Sequence, residues 1–178
     1  IFIPDETNSK AEISEEAFQQ NWHWEDASAK AEKCNYEILI SDFMTRTLEY
    51  KTRLDLFMNF LVAVTKATNP QVVYFISSQK LIEPSSLIKS WDGQEKEILF
   101  GIMNVRLFNV SNSNTKELFM DTVGLSLLGL PDFQFCFSDL DESEVARLLW
   151  NYAYYIFEQG DVIENGNTLL GIEPNSKW

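Results

Sequence analysis

The amino-acid sequence predicts an α+β fold, with a largely antiparallel sheet and helices packed on one of its faces. Three observations support this prediction. Apolar residues recur at helical spacing over residues 47–68, and again after residue 142. Three β-rich runs follow one another between residues 97 and 137 with short connections. Because strands joined by short connections pair side by side in opposite directions, these runs predict an antiparallel sheet.

A polar and acidic segment, residues 1–33, is predicted to be separate from an α+β domain over residues 34–178. Ser14 precedes two glutamates, which predicts a helix that begins with Ser14 as its cap. Residues 27–33 predict a second short helix. We expect this N-terminal segment to pack loosely on the remainder.

The first part of the α+β domain alternates strands and helices. Residues 36–43 and 71–76 are rich in β-branched and aromatic side chains, and each predicts a strand. Residues 47–68 predict a long helix, which an Asn-Pro pair ends. Pro84 predicts the first turn of a short helix. The long helix is predicted to bury one apolar face, formed by Leu54, Phe57, Leu61 and Val64. Three further residues are predicted to widen this face: Leu56, Phe60 and Ala63.

The second part of the domain contains the three consecutive strands. Residues 97–110 have apolar side chains on both faces, which indicates a central strand. Residues 117–125 and 132–137 predict its antiparallel neighbours. Ser138 or Asp139 is predicted to begin a capping motif for the last helix, and Gly160 is predicted to end it.

The composition limits the classes of partner. The net charge is -13 and the sequence pI is about 4.4. Nucleic acids and anionic membrane surfaces are therefore excluded as expected partners, because phosphate binding needs clustered Lys and Arg. A basic protein fits such a charge, although solubility alone also explains it.

The cysteines and the hydropathy predict a cytoplasmic protein. The mean hydropathy is -0.18, and the longest apolar run falls far short of a membrane span. Cys34 and Cys136 are far apart in sequence, as in a chain without disulfides. Cys136 lies between two phenylalanines, so we expect it to be buried.

The stretch from Asp121 to Asp132 combines polar side chains with an apolar run and two glycines. Asp121 and Thr122 point to opposite faces if this is a strand. Arg106 and Asn104 interrupt the apolar pattern of the central strand, and Arg106 can pair with Asp121 if the register places them opposite each other. A structural role for this pair is the preferred interpretation over a binding or catalytic role.

The remaining polar clusters favour structural roles. The acidic residues at 139–144 suit a helix N-terminus better than a metal site. His23 has no partner motif for catalysis or zinc, and it lies between Trp22 and Trp24, which together predict an anchor onto the body or a partner surface. We expect no cofactor and no metal. The candidate binding residues are Asp121, Thr122, Arg106, Asn104, Trp22 and Trp24.

Three motifs occur in order in the C-terminal third: D-T-x-G at residue 121, L-G-L-P-D ending at residue 132, and N-G-x-T at residue 165. This third resembles the bacterial domain of unknown function 4261 family. The resemblance implies a bacterial cytoplasmic protein. It assigns no activity and no catalytic residue.

Two hypotheses about function follow. The first is a non-enzymatic acidic binding or regulatory module, of which an immunity-type inhibitor of a basic protein is one form. The alternative is a small hydrolase or ligand-binding enzyme with a carboxylate-centred pocket containing Asp121 and Arg106. The first is preferred, because the sequence contains the acidic charge but no recognisable catalytic set.

Overall fold

The structure is a computed structural model that describes residues 12–42, 45, 47–94, 96–110, 117–172 and 176–177. The chain divides into two compact units, residues 1–101 and residues 102–178. Each unit contains its own antiparallel sheet together with helices, which confirms the α+β class. The predicted boundary after residue 33 does not coincide with this division and stays a prediction.

Two short helices open the first unit, α1 (Glu15–Gln19) and α2 (Ala27–Glu32). The Ser14 hydroxyl accepts a hydrogen bond from the backbone N–H of Ala17 at 3.1 Å, so Ser14 is the predicted cap. Ala17 and Ala27 are buried with Leu81, which lies in a later strand. The described part of the N-terminal segment is therefore anchored on the unit and is not loosely attached.

A helical pair and a two-stranded sheet complete the first unit: α3 (Tyr50–Thr68), β1 (Val73–Phe75), β2 (Lys80–Ile82) and α4 (Pro84–Asp92). Helix α3 packs on α4, and the Trp91 indole N–H donates to the Asn59 side-chain oxygen at 2.8 Å. Asn69, in the left-handed conformation at φ 47°, ends α3.

Helix α3 buries a narrower face than the sequence pattern predicts. Its buried residues are Leu54, Met58, Leu61, Val62 and Thr65. Leu56 and Phe60, predicted to widen the buried face, are 58% and 59% exposed. The apolar pattern of this helix therefore continues onto its accessible side.

Two strand predictions differ from the structure. Over the described residues 36–42 the chain forms no strand, because those residues pair with no neighbouring strand; residues 43, 44 and 46 lie outside the described part. Residues 98–102 form turns, so the long strand predicted to start at 97 begins only at Asn104. Strand β2 was not predicted, because a lysine begins it and only two apolar residues follow.

The second unit is a three-stranded sheet with one long helix: β3 (Asn104–Asn109), β4 (Leu118–Val123), β5 (Gln134–Phe137) and α5 (Glu142–Gln159). The strands are antiparallel neighbours in the order β3-β4-β5, and α5 packs on β3 and β4. A 3₁₀ helix, Leu125–Leu128, follows β4. Met120 and Val145 are fully buried in this unit.

The ends of α5 partly follow the sequence prediction. Asp141 is its N-cap, and the carboxylate accepts from the backbone N–H groups of Ser143 and Glu144 at 2.9 and 3.1 Å. The cap therefore lies two to three residues after Ser138 and Asp139. Gly160 ends the helix as predicted, at φ 86°.

Within the residues that the structure describes, no helix combines the length and apolarity needed to cross a membrane.

Candidate functional site

A buried ion pair lies at the centre of the three-stranded sheet. Arg106 on β3 and Asp121 on β4 are direct cross-strand partners, as the sequence predicted for this register. The guanidinium donates through Nε to Asp121 Oδ1 at 2.9 Å and through Nη2 to Oδ2 at 2.6 Å. Their side chains are only 16% and 9% exposed. This fork geometry is the strongest form of an Arg–carboxylate contact, because two parallel bonds hold both planes.

Two cross-strand rows share this face of the sheet. Gln134 lies opposite Asp121 and extends the row of the ion pair onto β5. The next row contains Phe108, Phe119 and Cys136. The Arg106 guanidinium lies 5.2 Å from the centre of the Phe108 ring, a cation–π contact that further fixes its position.

The thiol of Cys136 is exposed, so the expectation that this residue is a buried small hydrophobe is wrong. Phe135 and Phe137 lie on the same face of β5, and their rings stack with their centres 5.9 Å apart. Phe137 is buried and Gln134 is exposed. Alternation along a strand therefore places Cys136 on the face opposite to the buried phenylalanine.

Asn104 lies on the same strand and the same face as Arg106. Its side chain is 5% exposed, and its Nδ2 has no acceptor among the described residues. A buried donor of this kind costs free energy until an oxygen accepts its proton. Asn104 is therefore the polar group of this face that is least well satisfied within the described part of the chain.

Thr122 belongs to a separate hydrogen-bonded corner on the opposite face of β4. Its hydroxyl donates to Asp132 Oδ1 at 3.0 Å and accepts from the backbone N–H of Phe133 at 2.8 Å. The same carboxylate of Asp132 accepts from the backbone N–H groups of Gly124, Leu125 and Ser126 at 3.2 to 3.4 Å. Asp132 thus caps the 3₁₀ helix and closes the connection between β4 and β5.

The sequence alone did not identify Asp132 as the residue at this corner. The signal was present, since an Asp that follows a glycine-rich turn commonly accepts from turn amides. In the structure Asp132 accepts from the turn amides, while Asp121 is held by an arginine.

The ion pair limits what Asp121 can do chemically. Both of its oxygens accept from Arg106, so the charge of the carboxylate is already compensated and a substrate group would share it with the guanidinium. In the described residues no group of three or more His, Cys, Asp or Glu side chains is placed to hold a metal ion. The arrangement is suited to fixing the register of two strands, as expected of a buried pair with two bonds.

Trp22, His23 and Trp24 lie in the first unit, where His23 and Trp24 contact the rest of the unit. The ring nitrogen Nε2 of His23 lies 2.9 Å from the carbonyl oxygen of Leu81, and its ring meets Phe100 edge-on at 6.2 Å. Trp24 packs beside the small core of Ala17, Ala27 and Leu81. Trp22 is 53% exposed and is accessible to a partner.

Lys80 is a second titratable group beside His23, and no sequence pattern predicted its position. Its side chain is almost fully buried and donates to the Phe100 carbonyl at 2.6 Å. Burial lowers the pKa of Lys80 from 10.5 to about 8, against the opposing charge of Glu97. Burial, and then the positive charge of Lys80, lower the pKa of His23 from 6.5 to about 4. His23 is therefore neutral at pH 7, and Nε2 carries the proton that it donates to Leu81.

The fold and this face define a class, an α+β protein with a helix-backed antiparallel sheet and a central Arg–Asp pair. Residues 121–178 match the model of a family described as a domain of unknown function, DUF4261. The resemblance predicted from the C-terminal motifs is confirmed over those residues. The match begins at Asp121, so Arg106 and Asn104 lie outside it. No curated protein and no solved structure is significantly similar to the chain.

Proposed function

We propose that the protein is a non-enzymatic binding or regulatory module whose partner is a basic protein. The observation that carries this proposal is the charge of the second unit. Residues 102–178 contain eleven acidic and four basic side chains. Of the basic ones, Arg106 is bound to Asp121, and Arg147 forms an ion pair with Glu144. A surface with this excess of carboxylates attracts a positively charged protein and accelerates the encounter.

The outer side of α5 supplies aromatic contacts within the same acidic region. Tyr155 is 47% exposed, and the rings of Trp150 and Tyr154 meet at 6.1 Å on partly exposed positions. Glu144 and Glu158 lie on the same helix and are exposed. Tyrosine and tryptophan beside complementary charge are the side chains that most often dominate protein–protein affinity.

An immunity-type inhibitor, which neutralises a basic toxin or enzyme inside a bacterial cytoplasm, is the specific form that we propose. The acidic charge and the absence of a recognisable catalytic set in the sequence support it, as does the resemblance to a bacterial family. Electrostatic attraction suits such an inhibitor, because it must bind its target quickly.

Capture from a host-cell extract on the immobilised chain, followed by elution with increasing salt, tests this proposal. We expect a basic protein to be retained and to elute at lower salt from the double variant Glu144→Gln and Glu158→Gln, because each lost charge weakens the attraction. The matched control is Glu12→Gln with Glu25→Gln, which removes two exposed charges from the first unit.

Retention that depends equally on both pairs of charges would indicate non-specific attraction, and retention of neutral or acidic proteins alone would contradict the proposal. A captured enzyme or toxin should also lose activity when the chain is added in equimolar amount.

A further inference from the structure

Residues 36–40, Tyr-Glu-Ile-Leu-Ile, form an accessible apolar run in the first unit. Tyr36, Ile38 and Leu39 are 91%, 52% and 63% exposed. Their composition is typical of a strand, yet Ile38, Leu39 and Ile40 lie outside every β-ladder that the structure describes. Apolar side chains exposed next to one another in this way commonly mark an interaction site.

The backbone of this run lies outside the helices and turns of the first unit. From residue 34 to residue 42 the chain makes no turn, bend or helix. Five residues are enough for a strand, since strands in globular proteins average five to six. The run is therefore long enough to form a strand, and it contains no turn or helix that would interrupt one.

Both ends of the run are fixed to helices. At one end the thiol of Cys34 donates to the Lys30 carbonyl at 3.5 Å, next to the end of α2. At the other end Asp42 forms an ion pair with Arg53 of α3 at 3.5 Å. Fixed ends lower the entropy cost of ordering the run when it binds, so binding is stronger than for a free peptide of the same sequence.

Helix α3, to which Asp42 fixes one end of the run, also has exposed apolar side chains. Arg53, Leu56 and Phe60 are spaced three and four residues apart and so lie along one side of the helix. Leu56 and Phe60 are more than half exposed.

The net charge of the chain indicates whether a second copy or a different protein binds this run. A second copy of the chain brings another net charge of -13, and the two copies repel each other. A basic protein is attracted instead, and the open edge of its sheet offers the backbone groups that a strand needs.

We infer that residues 36–40 bind by adding a strand to the exposed sheet edge of a basic protein partner, an inference that rests on the proposed function for the charge of that partner. Backbone hydrogen bonds then supply part of the affinity, and alternate side chains of the run contact the partner on either face.

The experiment uses three capped peptides of about eight residues. One alternates Lys and Val, the second is the same peptide with every backbone amide N-methylated, and the third alternates Thr and Val. The first is basic and able to form a strand, the second has the same charge but no backbone donor, and the third forms a strand without charge. Binding is measured by calorimetry, and hydrogen exchange locates the protected backbone amides.

We expect the Lys-Val peptide to bind and to slow exchange at residues 36–40, and the other two to bind at least about tenfold more weakly. Ile38→Pro and Leu39→Pro each remove one amide from the run. Neighbouring amides of a strand point in opposite directions, so one of the two variants should lose binding by about tenfold and the other much less. Circular dichroism verifies that both variants remain folded.

Each remaining outcome overturns a different statement. Equal binding of both lysine peptides, or protection elsewhere in the chain, overturns strand addition and leaves the acidic module intact. Equal binding of the Thr-Val peptide with protection at residues 36–40 overturns the basic partner of this run, while the proposed function is tested separately by the α5 charge variants. Protection that rises with protein concentration in the absence of peptide assigns the run to a second copy and overturns the inference.

Discussion

Arg106 and Asp121 stabilise the fold as a pair, and either side chain without its partner destabilises it. Replacing Arg106 by Met leaves the Asp121 carboxylate buried without its charge partner, and we expect the free energy of unfolding to fall by about 3 kcal/mol. Urea denaturation measures the change. The control is Arg106→Met combined with Asp121→Leu, which should recover most of the loss because no charge then stays buried. A double variant less stable than the single one would show that the carboxylate has another essential partner.

Asp132 stabilises the connection between β4 and β5, because its carboxylate accepts from three backbone amides and one hydroxyl. We expect Asp132→Ala to destabilise the protein by about 2 kcal/mol, measured in the same denaturation experiment. Asp132→Asn keeps one acceptor oxygen and should lose about half as much. Asp161, which is exposed, is the matched control, and its change to Ala should stay within about 0.5 kcal/mol. An Asp132→Ala variant as stable as that control would contradict the capping role.

His23 gives a pH dependence that can be assigned to one residue, since the chain contains a single histidine. The unfolded chain binds a proton at about pH 6.5, and the native protein binds it only near pH 4. The unfolded state therefore binds more protons between these values, and stability falls as the pH drops from 6.5 to 4. Because the ring keeps part of its contact with water, we expect a loss of about 1 kcal/mol.

Imidazole NMR signals measure this titration directly. Lys80→Met removes the neighbouring positive charge and should raise the pKa of His23 above 4, although burial still keeps it below 6.5. His23→Gln should abolish the stability change over this pH range. An unchanged His23 titration in the Lys80 variant would mean that burial alone lowers the pKa of the histidine.

At the scale of elements, the end of α5 depends on a backbone conformation that side chains rarely adopt. Gly160 has φ 86° and ψ -174°, a region that is essentially restricted to glycine. Gly160→Ala should therefore cost about 1 to 2 kcal/mol in thermal or urea unfolding. Gln159→Ala, one residue earlier in the helix, is the control and should be nearly neutral. Equal stability of the two variants would contradict the argument from conformation.

Elements with a clear period could be predicted from the sequence, and those that depend on a neighbour could not. Helices α3 and α5 and strands β4 and β5 show their spacing locally, so their existence was predicted to within a few residues. Residues 36–42 have strand composition but join no β-ladder among the described residues, and composition alone cannot predict pairing. The turns at residues 98–102 have the same apolar character as a buried strand, so the pattern did not distinguish them.

The candidate site shows the same limit. The Arg106–Asp121 pair followed from an antiparallel register and residue types alone. The corner at Asp132 depends on how a loop folds back, and the buried amine of Lys80 depends on a turn twenty residues away in sequence. Contacts of that kind leave no periodic signal in the sequence.

At the scale of the whole molecule, the net charge of -13 opposes compaction. Salt screens this repulsion, so raising NaCl from about 0.02 M to about 0.3 M should increase the melting temperature by a few degrees. Calorimetry measures the shift. The double variant Glu158→Gln and Glu164→Gln carries less repulsion and should show a smaller increase. A melting temperature that falls with salt would mean that attractive ion pairs outweigh the repulsion.

The order of strands has a consequence for how the protein is made. β1 pairs with β2, β3 pairs with β4, and β4 pairs with β5. Each described strand pairs with strands of its own unit. Both strands of the first sheet are therefore available before residue 102 has been synthesised. Pairing between neighbours in sequence also closes short loops, which favours rapid folding. The first sheet can therefore assemble on the ribosome while the second is still being translated.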